Sequence, residues 1–305
     1  MSAEAAATLD SFGLAASDLI GEGSESRVYA IDAEHVLRIP RKRARKPESR
    51  AKAQAFLGWL AGRLPFATPE ILEIGPKDAY TVERRIAGRQ LAAFLKTANN
   101  DARDRALRNY VAAIDAFDAV RLDQRPYGHV LSPDPVTAGD WRTFAWESLV
   151  RFRSANRLVI AREIGDPYHL FDKAVDLMTA LPASPPKLLV HGDYFPGNVL
   201  IDDRLEVSGV LDFGQYTVVG DRQLDLAVAY QTLELIAECT ADDARFVRDV
   251  IIERHGEEVI PAFRFYRAWL AFSMADPANS RPPYPRLYNW SLVMLRLLAE
   301  DRLPA

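Results

Sequence analysis

The spacing of apolar positions changes character part-way along the chain. Over roughly the first 86 residues the apolar side chains come in short, strand-like runs. His35-Val36-Leu37-Arg38-Ile39-Pro40 reads as one strand, and Ala79-Tyr80-Thr81-Val82-Glu83-Arg84-Arg85-Ile86 as another that runs into the connection Ala87-Gly88-Arg89. Ahead of them, Gly21-Glu22-Gly23-Ser24-Glu25-Ser26 followed by Arg27-Val28-Tyr29 predicts a strand, a tight glycine turn and a second strand. Further on the period becomes helical. Leu107, Tyr110, Val111, Ile114, Phe117 and Val120 share one face; further helices are predicted from Trp146 to Ile160 and from Tyr168 through Phe171, Val175, Met178 and Leu181. Pro126, Gly128, Pro133 and Pro135 break the pattern and predict a connection rather than an element. After Pro182 and Pro185-Pro186, Lys187-Leu188-Leu189-Val190 reads as a short buried strand. Near the C-terminus, Phe263, Phe265, Tyr266, Trp269, Phe272, Tyr284, Tyr288 and Trp290 are mostly core candidates.

Polar chemistry concentrates between these blocks, in His191 to Gly214, HGDYFPGNVLIDDRLEVSGVLDFG. Val199-Leu200-Ile201 and Val207 to Leu211 are strand-like, and Asp202-Asp203-Arg204 between them is turn-like, so the stretch predicts a hairpin. Residues flanking the two strands of a hairpin return to the same end, which makes Asn198 and Asp212 neighbours. An amide oxygen and a carboxylate together suit Mg²⁺, a hard cation that keeps waters or phosphate oxygens in its shell. Asp193, five residues before Asn198, is placed to face a substrate hydroxyl beside the metal.

The combination H-G-D-x-x-x-x-N, an apolar strand and L-D-F-G resembles the signature of aminoglycoside phosphotransferases and their relatives, the macrolide phosphotransferases and choline kinases. Their catalytic core is similar to that of protein kinases. The resemblance implies an α+β, two-lobed protein-kinase-like fold, with a small, mainly antiparallel β N-terminal lobe carrying a helix and a larger, mainly helical C-terminal lobe. The boundary falls near Ala87, giving a nucleotide-binding lobe at 1–87 and a catalytic and substrate-binding lobe at 88–305. By the same resemblance Asp193 is the catalytic base and Asn198 and Asp212 hold Mg²⁺. Val218-Val219-Gly220-Asp221-Arg222-Gln223-Leu224-Asp225-Leu226-Ala227 is similar to the family's continuation, in which Asp225 and Asp221 have bracing roles.

In the N-terminal part the resemblance makes Gly21, Gly23, Ser24 and Ser26 the loop covering ATP, and puts Arg38, where most relatives carry lysine, on the inner phosphates. Val36 to Arg41 and Arg63 to Pro69 are similar to macrolide phosphotransferase stretches that also use arginine. The strand bearing Glu83 and Arg85 leads to the counterpart of the hinge, and both residues are assigned to the nucleotide site. Aligned on Arg63-Leu64-Pro65-Phe66, Ala53 stands where the family's helix presents a glutamate to the phosphate-contacting residue; Gln54 and Glu48 are no substitute. The sequence therefore leaves Arg38 without its usual partner. A kinase-fold nucleotide-binding regulator without turnover is the alternative reading that follows.

Composition narrows the choice further. A net charge of −4 and a pI near 5.8 argue against nucleic acid as a main partner. The one cysteine, Cys239, cannot form an internal disulfide, and no signal peptide or run of about 20 apolar residues is evident, so a soluble cytoplasmic protein with no membrane partner is expected. His129, His169 and His255 lack metal-ligand spacing, which disfavours a metal-dependent phosphoesterase, and no G-x-S-x-G elbow marks a serine hydrolase. Glu234, Glu238, Asp242 and Asp243 are read as helix-surface carboxylates rather than acceptor ligands. The expected partner is a small-molecule hydroxyl acceptor; its identity and the oligomeric state are not readable.

Overall fold

The computed structural model describes residues 3–23, 26–41, 48–281 and 285–305. The N-terminal lobe runs through helix α1 (Ala3–Ser11), strands β1 (Leu19–Glu22), β2 (Ser26–Ala30) and β3 (His35–Pro40), helix α2 (Glu48–Leu60), and strands β4 (Ile71–Ile74) and β5 (Thr81–Arg84). Its five strands form one antiparallel sheet in the order β1-β2-β3-β5-β4. Period-two alternation assigns the two faces of β3. Leu37 and Ile39 pack with Tyr29 of β2 and Leu9 of α1, so α1 covers that face. Val36 and Arg38 take the other, opposite Glu83 and Thr81 of β5 in the register.

The remainder comprises β6 (Arg89–Gln90), α3 (Leu91–Leu95), α4 (Asn100–Ile114), β7 (Tyr127–His129), β8 (Thr137–Ala138), α5 (Trp141–Glu163), α6 (Pro167–Met178), β9 (Leu188–Val190), β10 (Val199–Ile201), β11 (Val207–Val210), β12 (Val218–Gly220), α7 (Gln223–Gln231), α8 (Ala241–His255), α9 (Ile260–Met274) and α10 (Pro285–Ala299). The predicted helical face of α4 is its core face: Leu107, Tyr110, Val111 and Ile114 are fully buried. Phe117 and Val120 are buried too, but beyond the helix, in and after a 3₁₀ turn. Asn99 and Asp140 cap α4 and α5 by accepting from the N–H groups of Ala102 and Thr143, which fixes where these helices begin. Of the C-terminal aromatics, Phe263, Phe265, Tyr266, Trp269, Phe272, Tyr288 and Trp290 are buried as expected; Tyr284 lies outside the described residues.

Two small sheets organise this lobe, β11-β10-β6 and β8-β7-β12-β9. The second corrects the reading of Pro126 to Pro135 as a mere connection, because β7 lies within it, β8 follows it, and the two strands pair with each other. Strands of two and three residues carry no readable alternation, and the glycine taken as a breaker is a packing requirement. Gly128 sits at φ +116°, and a Cβ there would lie 2.3 Å from the Val136 carbonyl.

Candidate active site

The His191–Gly214 stretch folds as the predicted hairpin, with β10 and β11 antiparallel, Val199 opposite Val210, and a register shift between Leu200 and Ile201. Asp202 closes the turn by accepting from the backbone of Arg204 and Glu206. At the open end, Leu211 N–H donates to the Asn198 carbonyl at 2.7 Å, and His191 Nε2 lies 2.8 Å from the Leu211 carbonyl. These two bonds draw the residue before Asp212 against both the Asn198 and the His191 ends of the loop. Asn198 Nδ2 in turn donates to the Asp193 carbonyl at 2.9 Å and to Asp193 Oδ2 at 3.1 Å. Asp193, Asn198 and Asp212 are thus brought together by hydrogen bonds within one loop and hairpin. Asp212 itself has φ +64°, a left-handed conformation uncommon for a residue with a Cβ.

His191 is the internal tie of this arrangement. It is fully buried against Phe213 at 4.6 Å between ring centroids, and its Nδ1 accepts from Asp193 N–H at 3.2 Å while Nε2 faces the Leu211 carbonyl. One nitrogen accepting and the other donating is the pattern of a neutral imidazole. Burial accordingly holds its pKa down at about 4. An imidazole that ionises near pH 6.5 when unfolded but near 4 when folded supports the fold fully above pH 6.5, and that support fades as pH falls through 4. The stability margin of the wild type over His191→Asn should therefore shrink by on the order of 3 kcal/mol between pH 6.5 and 4. Urea titrations across that range read the margin directly, and one independent of pH would refute the neutral tie.

The loop is held from beneath by two further contacts. Asp225, one turn into α7, is fully buried and accepts from His191 N–H and Gly192 N–H, both at 2.7 Å. It reaches them because β12, which leads into α7, pairs with β9, which leads into the loop. Burial raises this carboxyl to about 7 against the pull of the two N–H donors. Asp221 accepts from Gln223 N–H at the helix start and takes a long bond from the Tyr266 hydroxyl, itself bonded by Trp141. Asp225 thus braces the loop as expected, while Asp221 has an architectural part, tying the start of α7 to α9. Gly192 has φ +76°, and a Cβ there would stand 2.0 Å from the Tyr216 carbonyl, so the loop can turn only at glycine. Tyr110 and Tyr194 stack at 4.8 Å, each hydroxyl donating to the other's backbone carbonyl, and fasten the loop to α4. The helical spacing marked Tyr110 only as core; its hydroxyl, out of place on a purely apolar face, was the available signal.

In the N-terminal lobe, Gly21 pairs with Val28 in the β1–β2 ladder, and Gly23 N–H donates to the Ser26 carbonyl at 2.9 Å where the glycine turn is expected; Ser24 and Glu25 lie outside the described residues. Neither glycine has positive φ or a crowded Cβ position, so their contribution is a bare backbone rather than a strained turn. Ser26 is buried and accepts from Arg38 Nη1 at 3.1 Å. The missing partner of Arg38 is found on the neighbouring strand. Arg38 Nε donates to both oxygens of Glu83, at 2.9 and 3.1 Å, and Thr81 Oγ1 donates to Glu83 at 2.7 Å. Glu83, assigned from the sequence to the nucleotide site, is thus the counter-ion of Arg38. Arg85 bonds instead to the turn between β2 and β3, through Asp32 and Glu34 carbonyls. Glu234 pairs with Arg267, Asp242 with Arg245 and Asp243 with Arg103; Asp242 is an exposed helix carboxylate as expected, whereas Asp243 is buried in the capping box that starts α8.

Among the described residues no group of three or more His, Cys, Asp or Glu could enclose a metal. A site made of one amide and one carboxylate leaves most of the coordination shell to phosphate oxygens and water, which is how Mg²⁺ is ordinarily held beside a nucleotide.

A family model described as the phosphotransferase enzyme family (APH) matches residues 18–269. The chain belongs to this family. The phosphotransferase family match spans both lobes and every residue of the site described above. No curated protein matches the chain. Among solved structures, aminoglycoside phosphotransferase APH(4)-Ia, a thermostable mutant in apo form, superposes with a TM-score of 0.68 at 21% identity, covering 96% of this chain and 97% of its own. A gentamicin complex of APH(2")-IIa gives a TM-score of 0.67 at 15% identity with 98% of each chain covered. ADP-bound APH(2'')-Ib gives 0.62 at 14% identity with 93% of each covered. At such identities these likenesses establish the kinase-like fold of a phosphotransferase family member.

Proposed function

We propose that this phosphotransferase is an ATP-dependent small-molecule kinase that transfers the γ-phosphoryl group to a hydroxyl of an antibiotic-like or metabolite acceptor. The observation that carries the reading is the convergence of Asp193, Asn198 and Asp212, tied together through Leu211 and His191. The acceptor oxygen attacks the γ phosphorus, the bond to the β–γ bridging oxygen breaks, the hydroxyl proton passes to the Asp193 carboxylate, and ADP leaves. Because such transfer proceeds through a loose transition state, the side chains act chiefly by aiming the hydroxyl and balancing charge. Asn198 and Asp212 would hold Mg²⁺, whose charge, when it is bound, neutralises phosphate oxygens. Gly21, Gly23, Ser24 and Ser26 belong to the turn over the nucleotide, Arg38 meets the inner phosphates, and the lobes divide near residue 87.

Structural likeness to proteins whose complexes hold gentamicin or ADP supports a small acceptor and a nucleotide donor. Among the described residues no helix is long and apolar enough to cross a membrane. We place the enzyme in the cytoplasm, with no role for nucleic acid. The Arg38–Glu83 pair removes the feature that had favoured a regulator without turnover. The deciding measurement is ADP release with and without Mg²⁺, alone and against a library of aminoglycosides, macrolides, amino alcohols and sugars. Mg²⁺-dependent release that rises with one class of acceptor is expected. Tight ATP binding with no release for any acceptor would overturn the proposal.

A further inference from the structure

We infer that Glu83 is the positioning residue for Arg38, supplying from within the β-sheet the counter-ion that kinase-like enzymes take from a helix; the inference rests on Arg38 meeting the nucleotide phosphates. Four observations carry it. The Glu83 carboxylate is almost wholly buried, with 7% of its side chain exposed against 30% for Arg38, so the carboxylate lies beneath the guanidinium rather than beside it in solvent. Both carboxylate oxygens face Arg38 Nε, and Thr81 Oγ1 fixes one of them at 2.7 Å. Ser26, at the end of the glycine turn, accepts from Nη1, so the guanidinium is oriented from two sides and one of these belongs to the loop proposed to cover the nucleotide. Finally, α2 offers no replacement at the aligned place: Ala53 has no charged group, and Gln54 donates to the Ile71 carbonyl.

Guanidinium recognition of phosphate depends on the direction of a planar fork, not only on its charge. A buried carboxylate locked to Nε sets that direction before any ligand arrives. Because Val36 stands opposite Glu83 and Arg38 opposite Thr81 in the β3–β5 ladder, the pair is fixed by strand register. Where the two partners sit on a strand and a helix, displacement of the helix can break the pair and switch off nucleotide contacts. Here the same ladder holds both partners, so strand register sets the aim of Arg38.

The test titrates ADP and adenosine into the full-length wild type and variants, with thermal unfolding recorded alongside. Arg38→Ala should weaken ADP about tenfold or more and leave adenosine unchanged, since only ADP carries the phosphates. Glu83→Ala should do the same, Glu83→Gln should recover most of the loss by keeping an acceptor for Nε, and the double variant Arg38→Ala/Glu83→Ala should be no worse than Arg38→Ala alone. Gln54→Ala should change neither ligand. Wild-type ADP affinity in Glu83→Ala, with Arg38→Ala weakened, overturns the inference and leaves the proposed function standing. Wild-type ADP affinity in Arg38→Ala instead refutes the phosphate contact itself. Should Glu83→Ala fail to fold, which loss of adenosine binding would reveal, Glu83→Asp decides: its shortened carboxylate keeps the charge but moves the acceptor. Selective loss of ADP supports the inference and unchanged ADP overturns it.

Discussion

Asp193→Asn should lower kcat by about 10² to 10⁴, the usual contribution of a positioned proton acceptor, while the affinity for ADP stays near wild type. The substitution isolates basicity from shape. Asn198 Nδ2 donates both to the Asp193 side chain and to its main-chain carbonyl, and an asparagine can present its amide oxygen to the same donor. The Asn198 amide therefore keeps its orientation, and what disappears is the capacity to accept the acceptor's proton. The effect should fall on kcat with little change in KM for ATP, as steady-state kinetics with varied ATP and a fixed acceptor would show. If the variant turned over its acceptor at the wild-type rate, Asp193 would have no part in the chemistry.

The second large effect is expected for Asp225→Asn, a residue that need not touch either substrate. Its two oxygens each accept one main-chain N–H, from His191 and Gly192. An asparagine has one acceptor oxygen to offer, and its amide would confront the other N–H as donor against donor. Leaving that buried N–H unpaired should cost on the order of 1–3 kcal/mol of stability. A shift of the Gly192–Asp193 backbone by even a fraction of an ångström should lower kcat by about 10 to 10². Urea titrations of the wild type and Asp225→Asn at neutral pH read this loss of stability, and an unchanged midpoint with wild-type kcat would contradict the bracing role.

The catalytic stretch was legible in the sequence because its geometry is local: a turn at Asp202 and two short apolar runs suffice to bring Asn198 and Asp212 to one end. Asp193 was legible through the same short spacing. Glu83 was not. Its partnership with Arg38 spans 45 residues and exists only once β3 and β5 adopt one register, and within its own strand an isolated glutamate looks like any polar alternation. The clasp of Tyr110 and Tyr194 was hidden for a related reason, since helical periodicity reports which side of α4 is buried but not what a buried hydroxyl bonds to. Strands β7 and β8 escaped because two or three residues bracketed by proline and glycine carry no period. Their pairing is decided by β12 and by the space Gly128 leaves for Val136.

The hairpin that carries the proposed metal ligands is also joined to the segments flanking the N-terminal sheet. Ala67, four residues before β4, exchanges main-chain bonds with Ser208 and Val210 of β11. On the other side β6, just after the hinge strand, pairs with β10, and Gln90 Nε2 donates to the Gly197 carbonyl. The hairpin is therefore bonded through its main chain to the segments on both sides of the N-terminal sheet. A tilt of one lobe against the other about these bonds would pivot close to Asn198 and Asp212, so the proposed cation-binding end would be the part of the cleft that moves least.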